Sequence, residues 1–449
     1  MNSWRRRILP LLLVCGLIGC AGPIQSSPDT AQQLPTTAHV PSPTMARTTP
    51  TVPNQSLATP TVTPTITQTS IAPSSPLDLA LVGGTVIDGS GAAPLVDAVV
   101  TIRGDQIVAV GRASEITIPA GIPIRDVHRM TILPGIVNAH AHSDTLTDDQ
   151  LQQWTRTGVT TVRDLGGPRD LLIRRRATLA KRPDPGLPRL LVAGPIVTVP
   201  GGHPIPVYGL NDEVLVVQGT DDARAKVAAL LDDGVDVVKI AVSGRSDVDW
   251  PELSNEEIRT IVETAHARGV RVAAHIDRAV ALQRAVEQGI DDAAHMPRDR
   301  IPDDLIAQMV ERDVVLIPTI AVYEALAEER GQAAAWRRMT LPIMQDNLRR
   351  FVAAGGTLAL GDDYGNPGVA LGMPMAEMRH WLQAGLSPMQ VIVAATHGGA
   401  IACGLAEEIG EIRAGTVADL LVVEGDPLAD INALERVALV IHNGVVIMP

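Results

Sequence analysis

Six residues of this 449-residue chain, in the order His140, His142, Lys239, His275, His295 and Asp363, each close an apolar run of the kind that forms a strand. Imidazole nitrogens and carboxylate oxygens are favoured donors for zinc and similar divalent cations, so the set points to metal-ligand chemistry. In Leu133-Pro-Gly-Ile-Val-Asn-Ala-His140-Ala-His142 the imidazoles stand at positions i and i+2. Side chains on a strand alternate faces, which puts this pair on one side where both can reach one ion. His-x-His by itself is also what a half-buried strand face looks like, and the neighbours must decide between the two.

Lys239 interrupts Gly234-Val-Asp-Val-Val-Lys239-Ile-Ala-Val242, a run apolar enough to be buried on both faces of a parallel sheet. A lone buried ammonium is costly. Two readings stand open. The lysine snorkels out at the strand end or pairs with a carboxylate such as Asp363. Alternatively, desolvation favours the neutral amine, which takes up carbon dioxide to become a carbamate, an anionic oxygen ligand able to bridge two cations. His275 ends Val270-Arg-Val-Ala-Ala-His275, and His295 ends Gly289-Ile-Asp-Asp-Ala-Ala-His295, with the amphipathic segment 278–287 between them. That spacing is strand, helix, strand, with both imidazoles at carboxyl ends of neighbouring parallel strands. Asp363 closes Gly355-Gly-Thr-Leu-Ala-Leu-Gly361-Asp-Asp363. Alternation lets only one of Asp362 and Asp363 face inward. Metal-type ligands at five independent strand ends outweigh the bland reading of each alone.

With these residues in place the chain resembles the amidohydrolase superfamily, in the branch of imidazolonepropionase-like proteins and Xaa-Pro dipeptidases (prolidase-like enzymes). The resemblance runs from Leu77 to Met448 and rests also on Gly158-Val-Thr-Thr-Val-Arg-Asp-Leu165, Gly201-Gly-His203, Ile317-Pro-Thr-Ile320 and Gly410-Glu-Ile-Arg-Ala-Gly-Thr-Val-Ala-Asp-Leu-Leu-Val-Val423. It implies that His140 and His142 hold the more buried of two divalent metal ions, zinc, that a carboxylated Lys239 bridges the pair, and that His275 and His295 hold the second. Asp363 then binds metal and handles protons, with Asp362 the alternative register. The implied activity is hydrolysis of C–N bonds in amides or small peptides by a hydroxide bridging the ions, with dipeptidase action one form of it. A cyclic amidohydrolase of imidazolonepropionase type, a deaminase, a lactonase, or a catalytically silent surface binding protein of the same fold are the alternatives. The chain departs from the prolidase-like pattern at two places. Asp277 stands where those members often have a second histidine, and His203 is followed by proline rather than glycine.

Stepping out to the supporting elements, candidate strands lie near 134–142, 158–164, 188–195, 235–243, 270–276, 290–295, 314–319 and 357–362, separated by helical patterns such as Glu256 to Arg268. The length accommodates a (β/α)8 TIM barrel over 134–405 and a smaller domain. The ligands then sit on strands one, four, five, six and eight, at the carboxyl face where barrels of this kind hold active sites. Segments 77–133 and 406–449 read as short β segments, and the resemblance implies that they pair into one small β-sandwich domain. His203, in a Pro/Gly-rich loop, and Tyr323, after Ile317-Pro-Thr-Ile320, are candidates to touch substrate; Arg245, just past the lysine strand, is a candidate for a substrate carboxylate.

Arg5-Arg-Arg7 followed by Ile8-Leu-Pro-Leu-Leu-Leu-Val14 reads as a signal peptide over 1–20, ending in Leu17-Ile-Gly-Cys20, which looks like a bacterial lipobox with Cys20 as the lipidated residue. Residues 21–76, rich in Pro, Thr and Ser, read as a disordered tether. The expectation is an exported protein, lipid-anchored to the outer face of a bacterial membrane, either at the cell surface or in the periplasm. Three cysteines leave no disulfide framework, because Cys15 departs with the signal, Cys20 carries lipid, and Cys403 has no partner. A net charge of −13, with Arg174-Arg-Arg176 as the one basic cluster beyond the leader, argues against nucleic acid as a partner. That triplet reads as a solvated helix face.

Overall fold

The computed structural model describes residues 78–181, 183–244 and 249–447. The signal peptide, the tether, Cys20 and Arg245 lie outside the described residues. Five strands come first, β1 (Leu79–Val86), β2 (Leu95–Arg103), β3 (Gln106–Arg112), β4 (Ile124–Asp126) and β5 (Met130–Pro134). The chain then passes through Gly135 into β6 (Ile136–Ala141), and continues with β7 (Val159–Asp164), β8 (Arg189–Val192), β9 (Ile196–Thr198), β10 (Val214–Val216), β11 (Val237–Ala241), β12 (Arg271–His275), β13 (Asp292–Ala294) and β14 (Val315–Ile317). It returns to β15 (Leu420–Glu424), β16 (Val437–His442) and β17 (Val445–Ile447).

The two ends meet where β15 pairs antiparallel with β5, so the flanking segments make one connected eight-stranded sheet, β17-β16-β15-β5-β1-β2-β3 with β4 on β1. It closes over an aliphatic core that includes Leu81, Val100, Ile102, Ile132, Leu420 and Ile441. Aromatic residues are 2% of the chain, and most of the apolar burial is by Val, Leu, Ile and Ala.

In the central segment every pairing is parallel: β6-β7-β8 form one sheet and β10-β9-β11-β12-β13-β14 another. Hydrogen bonds cross both gaps. Asp236 N donates to Val192 O between β8 and β11. On the other side Ala359 N donates to Leu316 O while Ala139 N donates to Leu360 O. The stretch 357–363 therefore lies between β14 and β6, where the eighth strand is expected, but it forms only an isolated bridge at Leu358. The reason is local. A Cβ at Gly361 would come within 2.7 Å of the His140 Cβ, so the segment approaches β6 too closely to carry side chains in a regular ladder.

Helices cover the outside of the parallel strands, as the strand-helix alternation requires. Several start in capping boxes; Ser254 accepts from Glu257 N while the Glu257 side chain accepts from Ser254 N. Alternation along the strands separates two environments. In β12, Val272 and Ala274 join the helix-facing core, while Arg271 and His275 share the other face with Ala273. β11 does the same, sending Val238 and Ile240 outward and Lys239 inward.

Candidate metal centre

His140 and His142 leave the end of β6 on one face, and Asp363 meets them there. Its Oδ1 lies 3.3 Å from His140 Nε2 and 3.0 Å from His142 Nε2. The backbone enforces the meeting, since Asp363 N donates to His140 O and His142 N donates to Tyr364 O. Asp363 adopts a φ of 57°, in the left-handed region that a non-glycine residue enters at a cost of roughly 1–2 kcal/mol. That turn separates the two acids: Asp362 accepts from Asn138 Nδ2 at 2.8 Å and from Tyr364 N at 3.2 Å, away from the imidazoles.

One donor atom from each of His140, His142 and Asp363 falls within 4.8 Å of the others, a set able to hold a metal ion. The tautomer of His142 suits that role. Its Nδ1 lies 2.6 Å from the carbonyl of Gly166 and donates to it, which leaves Nε2 as a bare donor. Burial would lower His142, but the hydrogen bond and charge of Asp363, helped by Asp164, raise it to about 9. Burial, with Lys239 nearby, takes His140 down to about 3. One carboxylate thus favours a proton on one of two adjacent imidazoles, and a cation can take that proton's place, because a ligating imidazole is neutral.

The second group lies deeper in the chain's order and is held differently. Lys239 is buried, and its Nζ has no hydrogen-bond partner among the described residues. Burial pulls its ammonium down to about 7 against the opposing pull of Asp363. The orphaned amine fits a group that gains ligands on modification, and it argues against the reading in which Lys239 simply pairs with a carboxylate. His275 and His295 meet edge to face with centroids 4.5 Å apart, and His295 lies 4.8 Å from His140. The His295 backbone has left the strand, with φ of 155°; alternation alone would send residue 295 to the side opposite Ala294. Burial holds both imidazoles well below their ordinary range, so both are neutral donors.

His203 stacks on His275 at 4.1 Å and on Trp250 at 5.8 Å, so the loop histidine joins the centre's wall. Burial brings it down to about 4. Tyr323 packs edge-on to His295 at 5.9 Å, and burial keeps its hydroxyl protonated far above the usual range. Asp277 does not join the ligand set. It is clamped by Arg298, with Nε and Nη2 each 2.7 Å from a carboxylate oxygen, and the Arg298 guanidinium lies 5.8 Å from the Tyr323 ring.

Several supporting residues escape a search for ligands. Arg163 is buried across the inside of the parallel strands, where its Nε donates to Ala139 O, and Nη1 to Asp292 Oδ2 and Ala402 O. Arg271 holds the other oxygen of Asp292. Beside His140, β6 is thereby tied to the foot of β13. Asp164 accepts from Ser143 N and Oγ and from Gly166 N, which fixes the two loops that frame His142. The visible signal for both is charge inside the apolar run Val159-Thr-Thr-Val-Arg-Asp164. Thr319 has no such signal, yet its Oγ1 lies 2.7 Å from His295 Nδ1. The arginine triplet corrects the expectation of a solvated face. Arg174 is exposed, but Arg175 donates to Ser143 O and Leu146 O in the loop after His142, and Arg176 pairs with Asp236 at 2.6 Å. Long arginines on one helix face can reach the strand ends beneath it.

Residues 131–447 match the amidohydrolase family. The ochratoxinase of Aspergillus niger is 24% identical over 417 residues, spanning 80% of this chain and 84% of its own length. The imidazolonepropionase of Symbiobacterium thermophilum is 27% identical over 409 residues, spanning 78% of this chain and 91% of its own. Among solved structures, a Xaa-Pro dipeptidase with methionine bound in its active site aligns with a TM-score of 0.73 at 25% identity, over 83% of this chain and 100% of the dipeptidase chain.

Proposed function

Since the chain belongs to the amidohydrolase family and is a hydrolase acting on C–N bonds, we propose that it cleaves amides or small peptides, dipeptides among them, with two divalent cations, zinc, as cofactors. The observation that carries this reading is the convergence of His140, His142 and Asp363 beside a buried, unpartnered Lys239. His140 and His142 would hold one cation and His275 and His295 the other, with carboxylated Lys239 shared by both and Asp363 as a further metal ligand. When bound, such ions lower the pKa of water and polarise a carbonyl.

The chain's own residues do the rest. Lys239, favoured as the neutral amine, attacks carbon dioxide through its nitrogen lone pair; one amine proton leaves to solvent and a carbamate anion remains. Asp363 is placed to accept the proton of the attacking water and return it to the leaving nitrogen. The Tyr323 hydroxyl, which stays protonated, can donate to an oxygen that gains charge during attack. His203 contributes a neutral ring to the substrate wall, and Arg245 supplies a cation for a substrate carboxylate. The likeness to an imidazolonepropionase supports a second reading, opening of a cyclic amide at the same centre.

The test is metal stoichiometry of protein beginning at Leu77, with turnover measured on Xaa-Pro and other dipeptides, N-acyl amino acids, hydantoins and lactones. Two equivalents of metal with dipeptide turnover support the first reading. Hydantoin turnover alone supports the second, and absence of bound metal with no turnover sinks both.

No helix among the described residues is long and apolar enough to cross a membrane. The proposed attachment is a lipid on Cys20, which places the protein on the outer face of a bacterial membrane. Firm attachment by this route needs two or more acyl chains, since one binds only marginally. Cys20→Ser should release the protein from membranes; a Cys20→Ser protein that fractionates like wild type removes the anchor from the account.

A further inference from the structure

Three helices of this protein begin as helices ordinarily do. Thr147, Ser254 and Ser387 sit in extended backbone and each accepts the amide of the third helical residue on its hydroxyl. Thr319, the cap residue of the helix Ile320–Glu329, does not. Its φ and ψ are 49° and 41°, left-handed for a β-branched residue, and its side chain makes no cap hydrogen bond. The hydroxyl lies 2.7 Å from His295 Nδ1 instead, and Thr319 is completely buried.

The helix start is nonetheless capped. Glu377, fully buried on the helix Met375–Gln383, accepts from Ala321 N at 2.7 Å through one oxygen and from Trp381 Nε1 at 2.8 Å through the other. An acceptor from a distant element thus satisfies an orphan amide of the first turn, that of its second residue, at the helix end that attracts negative charge.

We propose that Thr319 is a positioning residue of the metal centre, accepting the Nδ1 hydrogen of His295 so that Nε2 is the ligating nitrogen, and that Glu377 frees it for this by capping the helix in its place. The inference rests on the two-cation reading above. The ordinary cap geometry would point the hydroxyl along the helix. The left-handed turn redirects it to the imidazole, and a strained backbone at a functional site is the expected cost of such aim. Tyr323, one turn into the same helix and 5.9 Å from His295, is carried by the same anchor.

The experiment compares the full chain with Thr319→Val, Thr319→Ser and Glu377→Gln, each loaded with Zn2+ and titrated with a competing chelator, and each also loaded with Co2+ for its visible spectrum. Circular dichroism of the metal-free proteins controls for folding. Thr319→Val should bind one of the two ions about 10–100-fold more weakly, as losing a ligand's supporting hydrogen bond does, and should alter the Co2+ spectrum. Thr319→Ser should restore both. Glu377→Gln, which keeps only one of the two accepting oxygens, should shift the affinity in the same direction by less. Wild-type affinity for both ions in Thr319→Val overturns the inference and leaves the two-cation reading intact. A wild-type chain that binds no divalent ion overturns both.

Discussion

The two flanks of the centre share backbone pairing and differ in what their side chains meet. His140, His142 and Asp363 are brought together by main chain: two strand-end positions, a neighbouring segment bonded to them at residues 140 and 142, and a carbonyl that fixes the His142 tautomer. Lys239, His275 and His295 come from three strands that also pair through main chain, β11 with β12 and β12 with β13, and their side chains add ring contacts and a hydroxyl from a helix start. Both flanks keep buried polar atoms without a hydrogen-bond partner, His140 Nδ1 and Asp363 Oδ1 in the first and Lys239 Nζ in the second, but only the first sets a carboxylate oxygen 3.0 Å from an imidazole nitrogen. The lesson is that backbone pairing brings all six side chains together, while both flanks depend on what occupies the centre, because an unpaired buried polar group is expensive until it gains a partner.

The largest effect should come from breaking the second flank at its buried lysine. Lys239→Ala should abolish turnover and reduce bound metal, with partial recovery when short carboxylic acids and metal are supplied together. Unchanged metal content and turnover in that variant would remove the bridging role.

Striking the first flank instead should separate chemistry from binding. Asp363→Asn should lower turnover by about 10²–10⁴-fold through loss of the proton acceptor, while much of the metal stays bound, as read from kcat beside metal analysis.

A smaller effect, on stability, should appear at the support of the second flank. Burial pushes the Glu377 carboxyl up from 4.5 to about 7, despite hydrogen bonds from Ala321, Ile320 and Trp381. The folded state therefore holds this proton where the unfolded chain releases it. Stability from this group is complete below pH 4.5 and is lost as pH rises through about 7, by up to roughly 3 kcal/mol. Denaturant unfolding at several pH values should show that slope diminished in Glu377→Gln.

The smallest effect is expected at the acid beside the first flank. Asn138 Nδ2 and Tyr364 N both donate to Asp362 Oδ1, so Asp362→Asn keeps that acceptor in its amide oxygen, and turnover should change little and stability by about 1 kcal/mol or less. If Asp362→Asn is the inactive variant and Asp363→Asn the active one, the two acids exchange roles.

Much of the fold is legible in the sequence. Parallel strands announce themselves as apolar runs with helical patterns between them, and those near 134–142, 158–164, 235–243 and 270–276 recur as β6, β7, β11 and β12. The eighth position was less legible, because Gly361 and the close approach to His140 replace ladder pairing there. β9 and β10 leave no signal in the sequence, being three residues each in a stretch with no clear period.

The sequence by itself determined the order of donor types, their places at the ends of apolar runs, and the strand-helix alternation that carries them, since side-chain chemistry and periodicity are properties of the chain alone. Only the tertiary structure decided that Asp363 rather than Asp362 turns toward the histidines, that Asp277 is claimed by Arg298, and that Thr319 serves His295 instead of its own helix. Each of those choices depends on a partner distant in sequence or on one backbone angle, and a hydrogen bond spanning tens of residues leaves no period in the chain to be read.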